Sequence, residues 1–264
     1  MQDVQSRSDD RGIPLDQVGV TGLRYPIVVL DKDHEKQSTI ANVTMSVNLP
    51  HHFKGTHMSR FIEILNEHRG EVTMRTLPFI LNRMKDRLEA ESARIELTFP
   101  YFMERKAPVS GASGLMDYEC KFVGEMNGAV MDFILGVKIP VTSLCPCSKE
   151  ISDYGAHNQR GIITIEVKPK LDLDQNPELV WIEELILIGE SSASAPVFPL
   201  LKRDDERYVT MHAYDTPVFV EDMARNAAVL IKNDARISWA SIHCENFESI
   251  HNHSAYASVE IKTV

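Results

Sequence analysis

From Val43 to Leu49 apolar and polar residues alternate, with Val43, Met45, Val47 and Leu49 against Thr44, Ser46 and Asn48, which predicts a half-buried strand. The period then changes. Phe61, Ile62 and Leu65 predict a helix over 58–68, and Leu77, Ile80, Leu81, Met84 and Leu88 form one stripe of a second helix over 76–90. Alternation returns at Ile95, Leu97 and Phe99, and a further strand is expected over 116–125. Asn127-Gly128 marks a hairpin turn, since both residue types tolerate positive φ. A long strand then runs to about Val141. Before all of this, residues 1–20 show no period and are expected to be a disordered lead.

The later chain repeats the order of elements without repeating the sequence. Ile163, Ile165 and Val167 alternate in a strand, 178–188 and 219–233 suit helices, and 237–247 and 255–261 suit two last strands. The order reads β-α-α-β-β twice. Short connections between successive strands favour antiparallel pairing, with helices on one face of each sheet. The expectation is an α+β protein spanning 21–264, in two similar halves (21–141 and 161–264) joined by the irregular loop 142–160. Residues 190–208 are a second irregular stretch, and 243–253 (HCENFESIHNH) concentrate polar groups. Irregular segments carried on a regular scaffold are where sites tend to sit.

Composition narrows the class. The 264 residues are 43% hydrophobic and 25% charged, ordinary globular proportions. A net charge of −10 argues against non-specific nucleic-acid binding or an anionic membrane surface, while leaving room for a local basic pocket. No apolar run approaches the roughly 20 residues of a membrane-spanning helix, and residues 1–17 lack an apolar signal core, so a cytoplasmic protein with reduced thiols is expected.

Cys145 and Cys147 flank Pro146, and His157 follows ten residues after Cys147. The C-x-C spacing is too close for an ordinary structural zinc knuckle. A thiolate, an imidazole and a carboxylate would instead give three ligands and leave a position for water, as catalytic metal sites do. The alternative is two small buried thiols. Cys120 and Cys244 lie in strand patterns and read as packing residues. Most of the ten histidines sit in turns or at helix ends; His251 suits either acid/base work or simple exposure. Glu221 opens a helix, where an acid complements the dipole or could receive a guanine-like N–H pair. Lys202, Arg203, Asp204, Asp205 and Glu206 read first as a solvated charged loop.

Four segments together go further. TSLCPCSKEISDYGAHNQRG (142–161), ESSASAPVFPLLKRDDERYVT (190–210), TPVFVEDMARN (216–226) and ENFESIHNHSAYA (245–257) closely resemble the signatures of the prokaryotic type IB GTP cyclohydrolases. The resemblance implies a bimodular tunnelling fold, with subunits joined into barrels as a homotetramer and active sites at interfaces. It implies conversion of GTP to 7,8-dihydroneopterin triphosphate and formate, the first step of tetrahydrofolate biosynthesis. It makes Cys147, His157 and Glu206 the metal ligands, with Cys145 the competing thiolate, and Cys147, His157 and His251 the catalytic set. Glu221 would anchor guanine, and Lys149, Arg160, Lys202 and Arg203 are candidates for the triphosphate. One divalent ion per site is implied, zinc or manganese with iron a further candidate, and no organic cofactor. Two alternatives stay in view: a related enzyme using Cys147 as a covalent nucleophile, and a metal- or nucleotide-binding protein without turnover.

Overall fold

The computed structural model describes residues 5, 9–68, 70–172 and 177–263. Strands β1 (Leu15–Asp31) and β2 (Glu35–Leu49) come first, then helix α1 (Met58–Glu67), the two-residue β3 (Gly70–Glu71) and α2 (Leu77–Leu88). Three long strands follow: β4 (Ser92–Lys106), β5 (Ser113–Asn127) and β6 (Val130–Leu144). The remaining elements are α3 (Pro146–Ile151), β7 (Asn158–Pro169), α4 (Ile182–Ser191), β8 (Ala195–Pro196), α5 (Arg203–Asp215), α6 (Val220–Lys232), β9 (Ile237–Asn246) and β10 (Ala255–Lys262).

These elements make two compact units. The first holds the described residues of Met1–Pro100, Lys121–Ile134 and Leu171–Pro177; the second holds those of Tyr101–Cys120, Leu135–Lys170 and Glu178–Val264. The division therefore falls within β4, β5 and β6 rather than at the loop 142–160.

In the first unit the strand order is β3-β1-β2-β4-β5-β6. The antiparallel register sets Val43 opposite Leu97 and Met45 opposite Ile95, so the alternation read from sequence puts one apolar face together. Phe61, Ile64 and Leu65 of α1 and Leu77, Ile80, Leu81 and Met84 of α2 are fully buried. Each such side chain contributes roughly 1.5–3 kcal/mol relative to exposure. The Asn127-Gly128 hairpin is present, with Gly128 at φ +58°, where glycine pays no steric penalty.

Two sequence expectations are corrected here. β1 begins at Leu15, so residues 15–20 of the expected disordered lead are strand; residues 1–4 and 6–8 lie outside the described residues. β1 is mostly exposed or half-buried, and only its last stretch of alternation, Ile27, Val29 and Asp31, is buried. It is held by antiparallel pairing with β2, from Leu15–Leu49 to Asp31–Glu35, which its own sequence does not advertise. In addition, α5 occupies the end of the stretch expected to be irregular. Only Asp205 and Ala213 of α5 are buried, so no apolar stripe marks it. With β1, α3 and α5 added, the element order is richer than β-α-α-β-β repeated.

The second unit has strand order β4-β5-β6-β7-β9-β10, with β8 on β6. Its antiparallel register aligns Ile139 with Ile163 and Ile165 with Ile242. Helix α4 lies against β7, and α6 against β9 and β10. Glu190 of α4 is buried, accepts a hydrogen bond from Tyr118 Oη at 3.0 Å and pairs with Arg105. Burial raises the Glu190 pKa; Arg105 and the Tyr118 hydrogen bond oppose that without cancelling it.

Candidate active site

Three neighbouring strands of the second unit each break their inward apolar phase with a polar residue. Along β6 the buried series is Val137, Ile139, Val141, Ser143; along β9 it is Ala240, Ile242, Cys244, Asn246. On β7, Val167, Ile165, Ile163 and Gly161 lead back to buried Gln159. Register sets Ser143 opposite Gln159, and Gly161 opposite Asn246. A buried polar group is costly unless hydrogen-bonded, and these bond to one another. The Ser143 hydroxyl donates to the Val218 carbonyl at 3.3 Å and accepts from Gln159 Nε2 at 3.2 Å and Asn246 Nδ2 at 3.0 Å.

A cavity of about 280 Å³ opens at this polar patch, walled also by Cys145, His157, Glu221, Glu248, His251 and His253. The chain brings Cys145 and His157 together by closing the loop between them. The Cys145 amide donates to the His157 carbonyl at 3.1 Å, and the His157 amide donates to Ser148 Oγ at 3.2 Å. Cys145 precedes α3, where Pro146 takes the first helical position at no hydrogen-bond cost. Its sulfur accepts the Ser148 amide at 3.4 Å.

His157 is largely enclosed. Its Nδ1 lies 3.0 Å from Gln159 Oε1 and 3.9 Å from Glu248 Oε2. The His251 ring stands edge-on to it at 6.3 Å between centroids, and His253 stacks on His251 at 5.2 Å. Glu221 sits in the first turn of α6, which starts where the Phe219 amide donates to Asp222 Oδ2 at 3.1 Å. The Phe247 amide donates to the Arg160 carbonyl at 2.9 Å and so anchors the segment that carries Glu248 and His251.

Other sequence candidates lie elsewhere. Cys147 is exposed on α3 and Glu206 is exposed on α5; neither lines this cavity. Among the described residues no three His, Cys, Asp or Glu side chains converge as a metal-holding group, so one chain does not assemble Cys147, His157 and Glu206. Lys149 donates to the Tyr214 carbonyl and lies 4.3 Å from the centre of that ring. Arg160, Lys202 and Arg203 are exposed. Cys120 and Cys244 are buried core residues, as expected, and burial pushes the Cys244 thiol up to about 12.

Asp205 explains how the Lys202–Glu206 stretch is held. Its carboxylate accepts from the Val109 and Ser110 amides, the Ser110 hydroxyl and the Lys202 amide, at 2.6–2.8 Å. Burial alone would raise its pKa; these hydrogen bonds outweigh that and hold it below the usual carboxylate range.

A larger cavity, about 480 Å³, is lined by Thr142 and Leu144 rather than Ser143, together with Val209, Met211 and Tyr214 of α5 and the acid Asp215. It lacks the thiol, the imidazoles and the two glutamates of the smaller one, so chemistry rather than size singles out the candidate site. Sequence reading missed Ser143, Gln159, Asn246 and Glu248. The available signal for the first three was a polar residue standing at an inward position of an apolar strand.

Comparison with known proteins is unambiguous at the level of family. A model of the type I GTP cyclohydrolase folE2 family matches residues 1–257. GTP cyclohydrolase FolE2 of Geobacter sp. (strain M21) is 55% identical over 260 residues, covering 98% of this chain and 94% of the relative. The FolE2 protein of Syntrophus aciditrophicus (strain SB) is 54% identical over 260 residues, covering 98% and 99%. Among solved structures, urate oxidase from Bacillus subtilis 168 superposes with TM-score 0.55 at 9% identity, covering 93% of this chain and 98% of that one. Uricase from Arthrobacter globiformis gives 0.54 at 9% identity, covering 94% and 93%. At such identities the likeness concerns the fold alone.

Proposed function

Because the chain belongs to the type I GTP cyclohydrolase folE2 family, and so is a hydrolase acting on GTP in folate biosynthesis, we propose that the Cys145–His157 cavity is where GTP becomes 7,8-dihydroneopterin triphosphate and formate. The observation that carries this is convergence: a thiol, three imidazoles and the Glu221 carboxylate wall one cavity. This chemistry needs a nucleophilic water, a purine anchor and a proton carrier.

A soft thiolate and a borderline imidazole suit zinc or iron, and a carboxylate oxygen is the donor that would let manganese compete. We assign the thiol ligand to Cys145 because it lines the cavity beside His157, whereas Cys147 is exposed. Glu206 is the proposed third ligand. When bound, such an ion supplies Lewis-acid activation of the water that attacks carbon 8 of guanine. The rest falls to side chains. Glu221 accepts a pair of guanine N–H groups and fixes the base. His251, between His157 and His253, moves protons during ring opening, loss of formate and reclosure. Cys147, exposed on α3 outside the cavity, is proposed as a proton donor rather than a ligand.

We further propose a tunnelling fold assembled as a homotetramer in the cytoplasm. Three features support assembly. The cavity of one chain is at the small end for a ligand of this size. Glu206 and the cations Arg160, Lys202 and Arg203 lie outside it. β10 ends its strand order with an edge available for pairing. No helix among the described residues is long and apolar enough to cross a membrane.

The test is to strip metal, add GTP, restore zinc or manganese, and assay formate together with oxidised, fluorescent neopterin. Metal-restored release of both is expected. Folded, metal-loaded protein that binds GTP and forms neither product would overturn the proposal.

A further inference from the structure

We propose that Ser143 is a buried hub which, through Gln159, holds His157 in the tautomer with its proton on Nδ1, leaving Nε2 as the ring's only lone-pair donor.

The argument is a count of hydrogens. A serine hydroxyl has one proton and two acceptor sites. Ser143 is 1% exposed, so water supplies nothing. Its three neighbours are the Val218 carbonyl, the Gln159 amide and the Asn246 amide. Val218 offers only an acceptor, so the single proton goes there. Both amides must then present their NH₂ groups to the serine oxygen. With its NH₂ turned to Ser143, Gln159 turns Oε1 to His157 Nδ1 at 3.0 Å. An amide oxygen only accepts, so Nδ1 must carry the proton. The reverse arrangement would spend the serine proton on Gln159 and strip the Val218 carbonyl of it. Glu248 does not compete, since 3.9 Å from Nδ1 is beyond hydrogen-bond range.

The same hub ties three segments together. β6 supplies Ser143, β7 supplies Gln159 next to His157, and β9 supplies Asn246 at the root of the segment bearing Glu248 and His251. Val218, three residues before Glu221, brings in a fourth segment. Gln159 and Ser143 are therefore positioning residues. For a metal ligand, fixing the tautomer through the other ring nitrogen is what gives the donor nitrogen its availability. This consequence rests on His157 being a ligand, as proposed above; the tautomer itself does not.

The experiment uses the full-length, metal-free protein with ¹⁵N-labelled histidine. Long-range ¹H–¹⁵N correlation distinguishes the two tautomers, and the His157→Ala spectrum identifies the signal. The expected result is a single Nδ1–H form for His157 at a pH where it is neutral. Gln159→Leu should mix the tautomers and weaken zinc binding about 10–100-fold, measured against a competing chelator. Gln159→Glu keeps an acceptor toward Nδ1 and should retain the Nδ1–H form, and Glu248→Gln should leave it unchanged. A wild-type protein with the proton on Nε2 overturns the inference whether or not any variant folds. So does a folded Gln159→Leu protein with an unmixed Nδ1–H form and unaltered zinc affinity. Neither readout requires GTP turnover, so the hub and the proposed reaction can fail separately.

Discussion

Replacing Gly161 by alanine is the sharpest perturbation of the polar patch. Gly161 is not among the glycines with positive φ, so its backbone conformation is open to any residue. Its requirement is steric. An added Cβ would stand 2.5 Å from Asn246 Oδ1 and 3.0 Å from the Glu245 carbonyl oxygen. Ordinary contact begins near 3.4 Å, so Asn246 must retreat by 3.4 − 2.5 = 0.9 Å. A shift of that size is enough to break the 3.0 Å bond from Asn246 Nδ2 to Ser143. Overpacking costs about 1–3 kcal/mol, and a lost buried hydrogen bond about 1 kcal/mol more. The sum is about 2–4 kcal/mol, or a Tm fall on the order of 5–15 °C. Urea and thermal unfolding of the full-length protein measure it. The decisive comparison is Gly161→Ala in an Asn246→Ala background, where the clashing oxygen is gone. There the glycine substitution should cost at least about 1 kcal/mol less than in wild type. Additive costs within about 0.5 kcal/mol would show that the two residues do not oppose each other, and the steric account would be wrong.

Three further outcomes are expected. Cys145→Ser should lower zinc affinity by at least about tenfold while Cys147→Ser leaves it near wild type, by chelator competition; the reverse order would return the ligand assignment to Cys147. Tyr118→Phe removes a bond that lowers the Glu190 pKa. Because that pKa is raised in the fold, its contribution is present below the ordinary carboxylate value and lost as pH rises through the folded one. The variant should move that loss to higher pH in a Tm-versus-pH series, and an unmoved profile would contradict the pairing. Asp205 is the opposite case: its lowered pKa makes its contribution present above the ordinary aspartate value and lost as pH falls through the folded one. Asp205→Asn should flatten the acid side of that series and speed amide exchange at Val109 and Ser110; unchanged exchange there would refute the anchor.

How much of this was legible differs by element. Helices α1 and α2 and strand β2 carry their burial as a period, because each packs one face against a single layer. The Asn127-Gly128 turn was readable for the same local reason. β1 and α5 were not, since pairing with β2 sustains the first, and the capping of Lys202 and of the Val109–Ser110 amides by Asp205 sustains the second. Neither cause leaves a periodic trace.

The site divides along the same line. The four motifs, through their resemblance to a family, nominated Cys145 or Cys147, His157, Glu206, Glu221 and His251; the fold brings Cys145, His157, Glu221 and His251 to one cavity and leaves Cys147 and Glu206 outside it. The sequence by itself therefore determined the reaction class and the alphabet of the site. Only the tertiary structure separates two thiols two residues apart, since one lines a cavity and the other is exposed. Only it made a hub of Ser143, Gln159 and Asn246, which lie up to 103 residues apart. Strand register joins them, and register is a property of three strands paired together that no single strand encodes.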